Sequence, residues 1–309
     1  MGVSSFSFDQ PKLVLKTDFS GSEKLVDHTE RKEDGYRRGT LTPSATKRDC
    51  GTRSEQPCAL VYGGSPGTNE MHSFELFGNF KKTAITAQGK QTSQASKFAF
   101  YIDSRYSSDR TVLKTQDIRQ GQISSSISIS KSKTIGYKGG TADETLLIGS
   151  SINPLTTQPR TKNLDLDFGP GNNHLKLDAF QGSNKSLGKI TAKFGDGDDL
   201  IDLSSGAHDP LFAEKLKIKT GYGDDKINRY KKGGLMAAKK MHFDLGPGAD
   251  GMSIGIAEKV ASKVKSIVVD FGKDQDNDHV DIYAPKGFNE SLISFKNFRD
   301  EDFYQIWHW

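Results

Sequence analysis

The chain has 309 residues, enough for one large domain or two ordinary ones, yet its apolar set is only 34% and its mean hydropathy is −0.61. No run approaches the ~18 apolar residues of a membrane-spanning helix, and a formal charge of +4 is too mild to name a partner. Glycine, at 32 residues, is the excess that needs a physical reason.

The amino end, Met1-Gly2-Val3-Ser4-Ser5-Phe6, lacks a charged segment followed by an apolar one, which argues against a cleaved secretion signal. Phe6 stands where a myristoylation motif wants Ser or Thr. Strand-like runs follow at Phe6–Phe8, Leu13–Leu15, Phe74–Phe77 and Phe98–Ile102, separated by Gly-, Ser-, Thr- and Lys-rich stretches. They predict a β-rich N-terminal region, 1–130, of unassigned topology and without a recognisable motif. Cys50 and Cys58 lie close together with no further Cys or nearby His to complete a zinc set. A short-loop disulfide and two inconsequential thiols both remain open. Charge divides the chain as well: residues 1–159 carry a net +5 and residues 160–309 a net −1. The Ile/Ser alternation of Gln122–Ser132 is predicted to feed the first unit of a repeat.

That repeat dominates the second half. Segments align on Gly140, Gly169, Gly195, Gly221, Gly246 and Gly272, at spacings of 29, 26, 26, 25 and 26 residues. Before most of these glycines apolar residues alternate, as in Leu164, Leu166, Phe168 and in Ile190, Ala192, Phe194, while the Gly221 copy has Leu216 and Ile218 but Thr220; after the glycine they resume, as in Leu175, Leu177 and Ile201, Leu203. Period two is the mark of a half-buried strand. Units of ~26 residues cannot bury an apolar face alone and must stack on their neighbours. The expected fold is mainly β, a parallel β-solenoid (β-helix or β-roll-like) over 131–290, with one strand–glycine turn–strand coil per repeat. Stacking puts Asp167 beside Lys193 and Lys219 beside Asp244. Ala257–Val264 shows helical spacing within a connector. Residues 291–309 repeat strand, acidic turn and strand without glycine, and read as a terminal capping coil.

The turns themselves carry chemistry. Two glycines in G-x-G permit φ > 0 and a close approach of backbone carbonyls, and an Asp four residues after the first glycine adds a carboxylate. Carbonyl and carboxylate oxygens without Cys or His suit a hard cation, and Ca²⁺ accepts six to eight of them. A column of turns ~4.8 Å apart could hold an ion between consecutive coils. The same G-x-G-x-D pattern also makes a sound tight turn with no ion, because Asp and Asn cap their own backbone.

The segments F-G-D-G-D-D-L-I-D, T-G-Y-G-D-D-K-I-N, F-G-P-G-N-N-H-L-K and L-G-P-G-A-D-G-M-S resemble the haemolysin-type (repeats-in-toxin) calcium-binding family, whose nonapeptide is G-G-x-G-x-D-x-U-x. The resemblance implies calcium as cofactor. Its ligand set falls on Gly195, Gly197 and Asp199; on Gly221, Gly223 and Asp225; and on Gly246, Gly248 and Asp250. In the following turn it falls on Asp278 if two residues are inserted there, or on Asp276 if none are. Weaker equivalents are Gly169, Gly171 and Asn173, and Glu144 in the first unit. Asp198 and Asp224 are expected to face solvent. The resemblance further implies a secreted or cell-surface protein, exported by the type I route, whose solenoid orders on binding Ca²⁺.

No H-E-x-x-H, G-x-S-x-G or P-loop occurs, so no catalytic constellation or nucleotide site is read from the sequence. Lys189, Lys193, Lys215, Lys217 and Lys219 form an outward basic stripe suited to an acidic polysaccharide or cell surface, or simply to water. Two rivals to the calcium reading follow: a solenoid lyase, epimerase or binding module for acidic polysaccharides, and a metal-free structural or adhesive solenoid. No nucleic-acid partner is expected, and the oligomeric state is left open.

Overall fold

The structure, a computed structural model, describes strand backbones between residues 12 and 128, and side chains at 112–115, 122–127, 133–149, 161–177, 187–203, 213–228, 238–274 and 276–308. The strands are, in chain order, β1 (Lys12–Asp18), β2 (Lys24–Glu30), β3 (Arg37–Leu41), β4 (Cys58–Tyr62), β5 (Ser73–Phe77), β6 (Phe80–Gly89), β7 (Lys97–Asp103), β8 (Ser107–Ile118) and β9 (Gln122–Ser128). They continue as β10 (Thr134–Lys138), β11 (Asp143–Gly149), β12 (Asn163–Asp167), β13 (His174–Leu177), β14 (Leu187–Lys193), β15 (Leu200–Asp202), β16 (Leu211–Lys219) and β17 (Lys226–Ile227). The last are β18 (Leu235–Asp244), β19 (Gly251–Ile256), β20 (Ser266–Asp270), β21 (His279–Ala284), β22 (Ile293–Lys296) and β23 (Phe303–His308).

From β10 onward each coil is one even-numbered strand, a turn and one odd-numbered strand, and β8 and β9 stack beneath the first of them. Even strands pair in parallel with even strands, from β8–β10 through β20–β22. Odd strands do the same from β9–β11 through β21–β23. The result over residues 112–308 is a parallel β-solenoid with very little helix. Upstream, β6 and β7 pair in parallel with β8 and β9, and β1 pairs in parallel with β6. Antiparallel pairs β1–β2, β2–β3 and β4–β5 complete the N-terminal strands. The runs at Leu13–Leu15, Phe74–Phe77 and Phe98–Ile102 fall within β1, β5 and β7; Phe6–Phe8, Cys50 and the side chain of Cys58 lie outside the described residues.

Alternation decides which face is buried. In β12 the pattern is Leu164 and Leu166 in, Asn163 and Asp165 out; β14, β20 and β21 repeat it with Ile190/Ala192, Ile267/Val269 and Val280/Ile282. The two inner faces meet in one continuous core. Phe168, Phe194, Phe243 and Phe271 are its largest fully buried side chains, each contributing roughly 1.5–3 kcal/mol of apolar burial. Phe168 and Phe194, one coil apart, stack with ring centroids 4.5 Å apart and planes 6° from parallel. A thin core of one or two apolar rows per coil accommodates a low apolar fraction.

The connector helix α1 (Glu258–Ala261) lies within the helical pattern read over Ala257–Val264, and Ala257, Val260 and Val264 are buried against the wall. In the last coil, β22 and β23 pair on one side only among the described residues; β23 carries the exposed Phe303, Tyr304 and Trp307, and Phe298 is exposed in the turn between the two strands.

Candidate functional site

The glycine turns stack into two columns because backbone sits directly on backbone. A Cβ at Gly171 would stand 2.6 Å from the Ala142 carbonyl oxygen, and one at Gly197 would stand 2.5 Å from that of Gly171. One at Gly223 would meet Gly197 O, and one at Gly248 would meet Gly223 O. The second glycine of each turn also takes φ between +115° and +134°, at Gly171, Gly197, Gly223 and Gly248, a region that L side chains rarely occupy. The first glycine has positive φ at Gly169, Gly221, Gly246 and Gly272. Gly195 is required by contact alone, since a Cβ there would stand 2.7 Å from Gly169 O. Each carbonyl column therefore lies along one edge of the solenoid.

Four residues after the first glycine the side chain turns inward, and a ladder of hydrogen bonds joins the coils. The backbone N–H of Glu144 donates to Asn173 Oδ1 at 3.2 Å, that of Asn173 to Asp199 Oδ1 at 2.7 Å, and that of Asp199 to Asp225 Oδ1 at 2.7 Å. The series continues from Asp225 to Asp250 at 2.7 Å, from Asp250 to Asp278 at 2.9 Å and from Asp278 to Asp302 at 3.3 Å. Glu144, Asn173, Asp199, Asp225, Asp250 and Asp278 are all buried. Glu144 Oε1 accepts from Thr115 Oγ1 at 2.7 Å and from the Gly140 N–H at 3.1 Å, which closes the ladder upstream. The ladder places Asp278, not Asp276, in register: two residues are inserted in that turn, and Asp276 is exposed.

A second ladder, not anticipated from sequence, runs on the outside in the opposite sense. Asp143 Oδ1 accepts the Asn172 N–H at 3.0 Å, Asn172 Oδ1 that of Asp198 at 2.9 Å, Asp198 Oδ1 that of Asp224 at 3.0 Å, and Asp224 Oδ1 that of Ala249 at 3.0 Å. Asp198 and Asp224 face solvent as expected, and they also bind the next coil's backbone. The repeated acid one residue before the inner Asp was the available signal.

The inner ladder uses only one oxygen of each carboxylate. Asp199 Oδ2, Asp225 Oδ2, Asp250 Oδ2 and Asp278 Oδ2, with Glu144 Oε2, are shielded from solvent and have no hydrogen-bond partner. Asn173 shows what that position looks toward: its Nδ2 donates to Gly171 O at 2.6 Å and to Gly169 O at 3.3 Å. Where Asp replaces Asn, an oxygen takes the place of that donor and the turn carbonyls lose it. Two sets of acceptors without a shared proton or cation repel, so the arrangement calls for a positive centre. At the carboxyl end one is built in: the Arg299 guanidinium donates from Nη2 to Lys273 O at 2.6 Å and from Nη1 to Asp274 O.

Electrostatics agree in direction. Burial is the main cause that pushes the pKa of Asp199 up to about 8, of Asp225 up to about 7, of Asp250 up to about 10 and of Asp278 up to about 7. Neighbouring carboxylates add to this, Asp225 and Asp278 acting on Asp250. Glu144 is likewise raised to about 7 by burial. A carboxylate held this far from water favours whichever of a proton or a cation neutralises it.

The donor set fits a hard cation. It holds carboxylate and carbonyl oxygens and no Cys or His, and its carboxylates keep buried oxygens without a partner. Among the described residues no three His, Cys, Asp or Glu side chains converge to hold a metal by themselves. Any ion would therefore draw most of its oxygens from the main chain, with Gly195, Gly197 and Asp199, Gly221, Gly223 and Asp225, and Gly246, Gly248 and Asp250 as the candidate turns. No helix among the described residues is long and apolar enough to cross a membrane. Comparison of the chain with protein-family models, curated proteins and solved structures returned no match.

Proposed function

We propose that the chain is a calcium-binding solenoid whose glycine turns take up Ca²⁺ and order on doing so. The carrying observation is the pair of turn types in one ladder. Where the inward residue is Asn173, its amide serves the carbonyls of Gly169 and Gly171; where it is Asp199, Asp225 or Asp250, a buried oxygen has no partner. A cation at those turns would do for the carbonyls and the carboxylate what the neutral amide does at Asn173 by donating its N–H groups. The resemblance of the turn sequences to haemolysin-type repeats supports the choice of calcium, as does the oxygen-only donor set. Calcium tolerates many carbonyl ligands in irregular geometry, whereas Mg²⁺ demands a near-octahedral shell and keeps its waters.

The same reading suggests where the protein works. Sites with Kd of roughly 10⁻⁴–10⁻³ M fill in calcium-rich extracellular fluid and empty in the cytosol. The unneutralised acids then oppose stacking before export and stop opposing it outside the cell, so we place the protein on or beyond the cell surface. Isothermal titration of the full, chelator-stripped chain tests this. Saturable heat with CaCl₂, much weaker heat with MgCl₂, and loss of the calcium signal in the triple variant Asp199→Asn, Asp225→Asn, Asp250→Asn are expected. Equal responses from wild type and variant would overturn the assignment.

A further inference from the structure

The outward face of the even-numbered sheet is banded by charge. Parallel register sets Lys189, Lys215 and Lys240 opposite one another on β14, β16 and β18, and sets Lys193 opposite Lys219. Lys217 lies between these columns on β16, with Thr191 and His242 as its neighbours in register. Lys240 and His242 extend the stripe beyond what spacing alone had indicated. Like charges directly opposite at ~4.8 Å destabilise a sheet. Only one of the six lysines, Lys219, is paired with a carboxylate among the described residues, Asp244 at 3.3 Å.

Edge protection does not explain the band, because β14, β16 and β18 are interior strands, each paired on both sides. Beyond it the sign reverses. Asp165 and Asp167 join Asn163 on the outward face of β12, and Asp270 joins Ser266 and Val268 on that of β20. The positive strip is thus three strands wide, ~10 Å, open at its Lys189–Lys215–Lys240 row, which ends on Asn163 and Ser266, and flanked by Asp165, Asp167, Asp244 and Asp270 toward its Lys193–Lys219 row. In its middle, Thr191 Oγ1 and His242 Nε2 lie beneath the surface, shielded from solvent, so the lysines alone form the exposed contact groups.

We propose that this band docks a linear acidic polysaccharide, one chain wide, lying along β16. The width suits a single anionic chain. A membrane plane or a nucleic-acid duplex would meet Asp165, Asp167, Asp244 and Asp270 as well as the lysines. Single-stranded nucleic acid is held on successive aromatic platforms, and the band interleaves none. Membrane insertion needs an apolar face, and the outward positions of the band are Lys, Thr, His and Asp. Carboxylate or sulfate groups spaced along a sugar chain relieve the lysine repulsion. The proposal does not rest on calcium at the turns.

The test is fluorescence polarisation of the full chain against a labelled chondroitin sulfate oligosaccharide at low ionic strength, with millimolar calcium in every arm. Labelled dextran, a single-stranded oligothymidylate and phosphatidylserine vesicles are the comparison probes. Lys189→Gln, Lys215→Gln and Lys217→Gln together are expected to weaken chondroitin sulfate binding about tenfold or more. A control triple of equal charge change, Lys162→Gln, Lys259→Gln and Lys286→Gln, is expected to stay within about twofold. The band variant is also expected to melt no lower than wild type, since it removes repulsion, which separates lost binding from lost folding. Equal weakening by both triples, no binding of chondroitin sulfate, or tighter binding of oligothymidylate or vesicles would overturn the proposal.

Discussion

Replacing Asp225 by asparagine keeps the shape of the side chain and changes one atom. Oδ1 goes on accepting the Asp199 N–H, a bond of 2.7 Å in the wild type. The unpartnered Oδ2 becomes an N–H₂ group with the geometry that Asn173 has, where the amide reaches Gly171 O at 2.6 Å and Gly169 O at 3.3 Å. Two hydrogen bonds at a net ~0.5–1.5 kcal/mol each amount to roughly 1–3 kcal/mol of stabilisation without metal. For a unit of this size that is a rise of roughly 3–10 °C in melting temperature. The effect is fullest near pH 8, where the wild-type acid, raised to about 7 by burial, is mostly ionised. Saturating calcium reverses the order, because the variant lacks a carboxylate ligand while wild type gains ~1–3 kcal/mol per site from binding. Calorimetric melts in chelator and in calcium read both signs. A variant less stable than wild type in chelator, with an unchanged calcium increment, would refute the reasoning.

Further outcomes follow from the same contacts. Folding raises the pKa of Asp199, Asp225, Asp250 and Asp278 from 3.8 to between about 7 and about 10. The stability these acids contribute is therefore fully present below about pH 4 and is lost as pH rises through 7 and beyond. Melting temperature in chelator should fall across that range, and calcium should flatten the slope; a chelator profile that climbs with pH contradicts the buried ladder. Gly223→Ala, which forces a Cβ at φ +128° onto Gly197 O, should lower the urea midpoint by the equivalent of about 2–4 kcal/mol. Asp276→Asn should leave calcium affinity nearly unchanged in a calcium titration, because Asp276 is exposed and Asp278, not Asp276, lies in the ladder. Phe194→Ala, which removes one ring of the Phe168–Phe194 stack, should cost about 3–5 kcal/mol in chemical denaturation.

Period-two apolar spacing on either side of each glycine was enough to infer both strands of the coil, since Leu164, Leu166 and Phe168 have no other way to share a face. The inward Asp was legible because the interval from Asp199 to Asp225 to Asp250 follows the period. Asp278 was ambiguous because its turn is two residues longer, and only the pairing of Val280 and Ile282 with Met252 and Ile254 settles which acid points in. The outer ladder through Asp198 and Asp224 was invisible as bonding, because a solvent-facing acid and a backbone-binding acid look alike in sequence. Arg299 posed the same difficulty: its guanidinium reaches back a full coil, to Lys273 and Asp274, and no local pattern encodes that reach. Lys240 joins the basic band through register across β16 and β18, a relation that spacing along one strand does not contain.

The central claim, that Ca²⁺ occupies the stacked turns, is tested most directly by anomalous diffraction from crystals grown with and without calcium. The account predicts peaks along the glycine column beside the Oδ2 atoms of Asp199, Asp225 and Asp250, with none beside Asn173. A column without peaks in the calcium-grown crystals, its carboxyl oxygens within hydrogen-bond distance of the turn carbonyls, would contradict it.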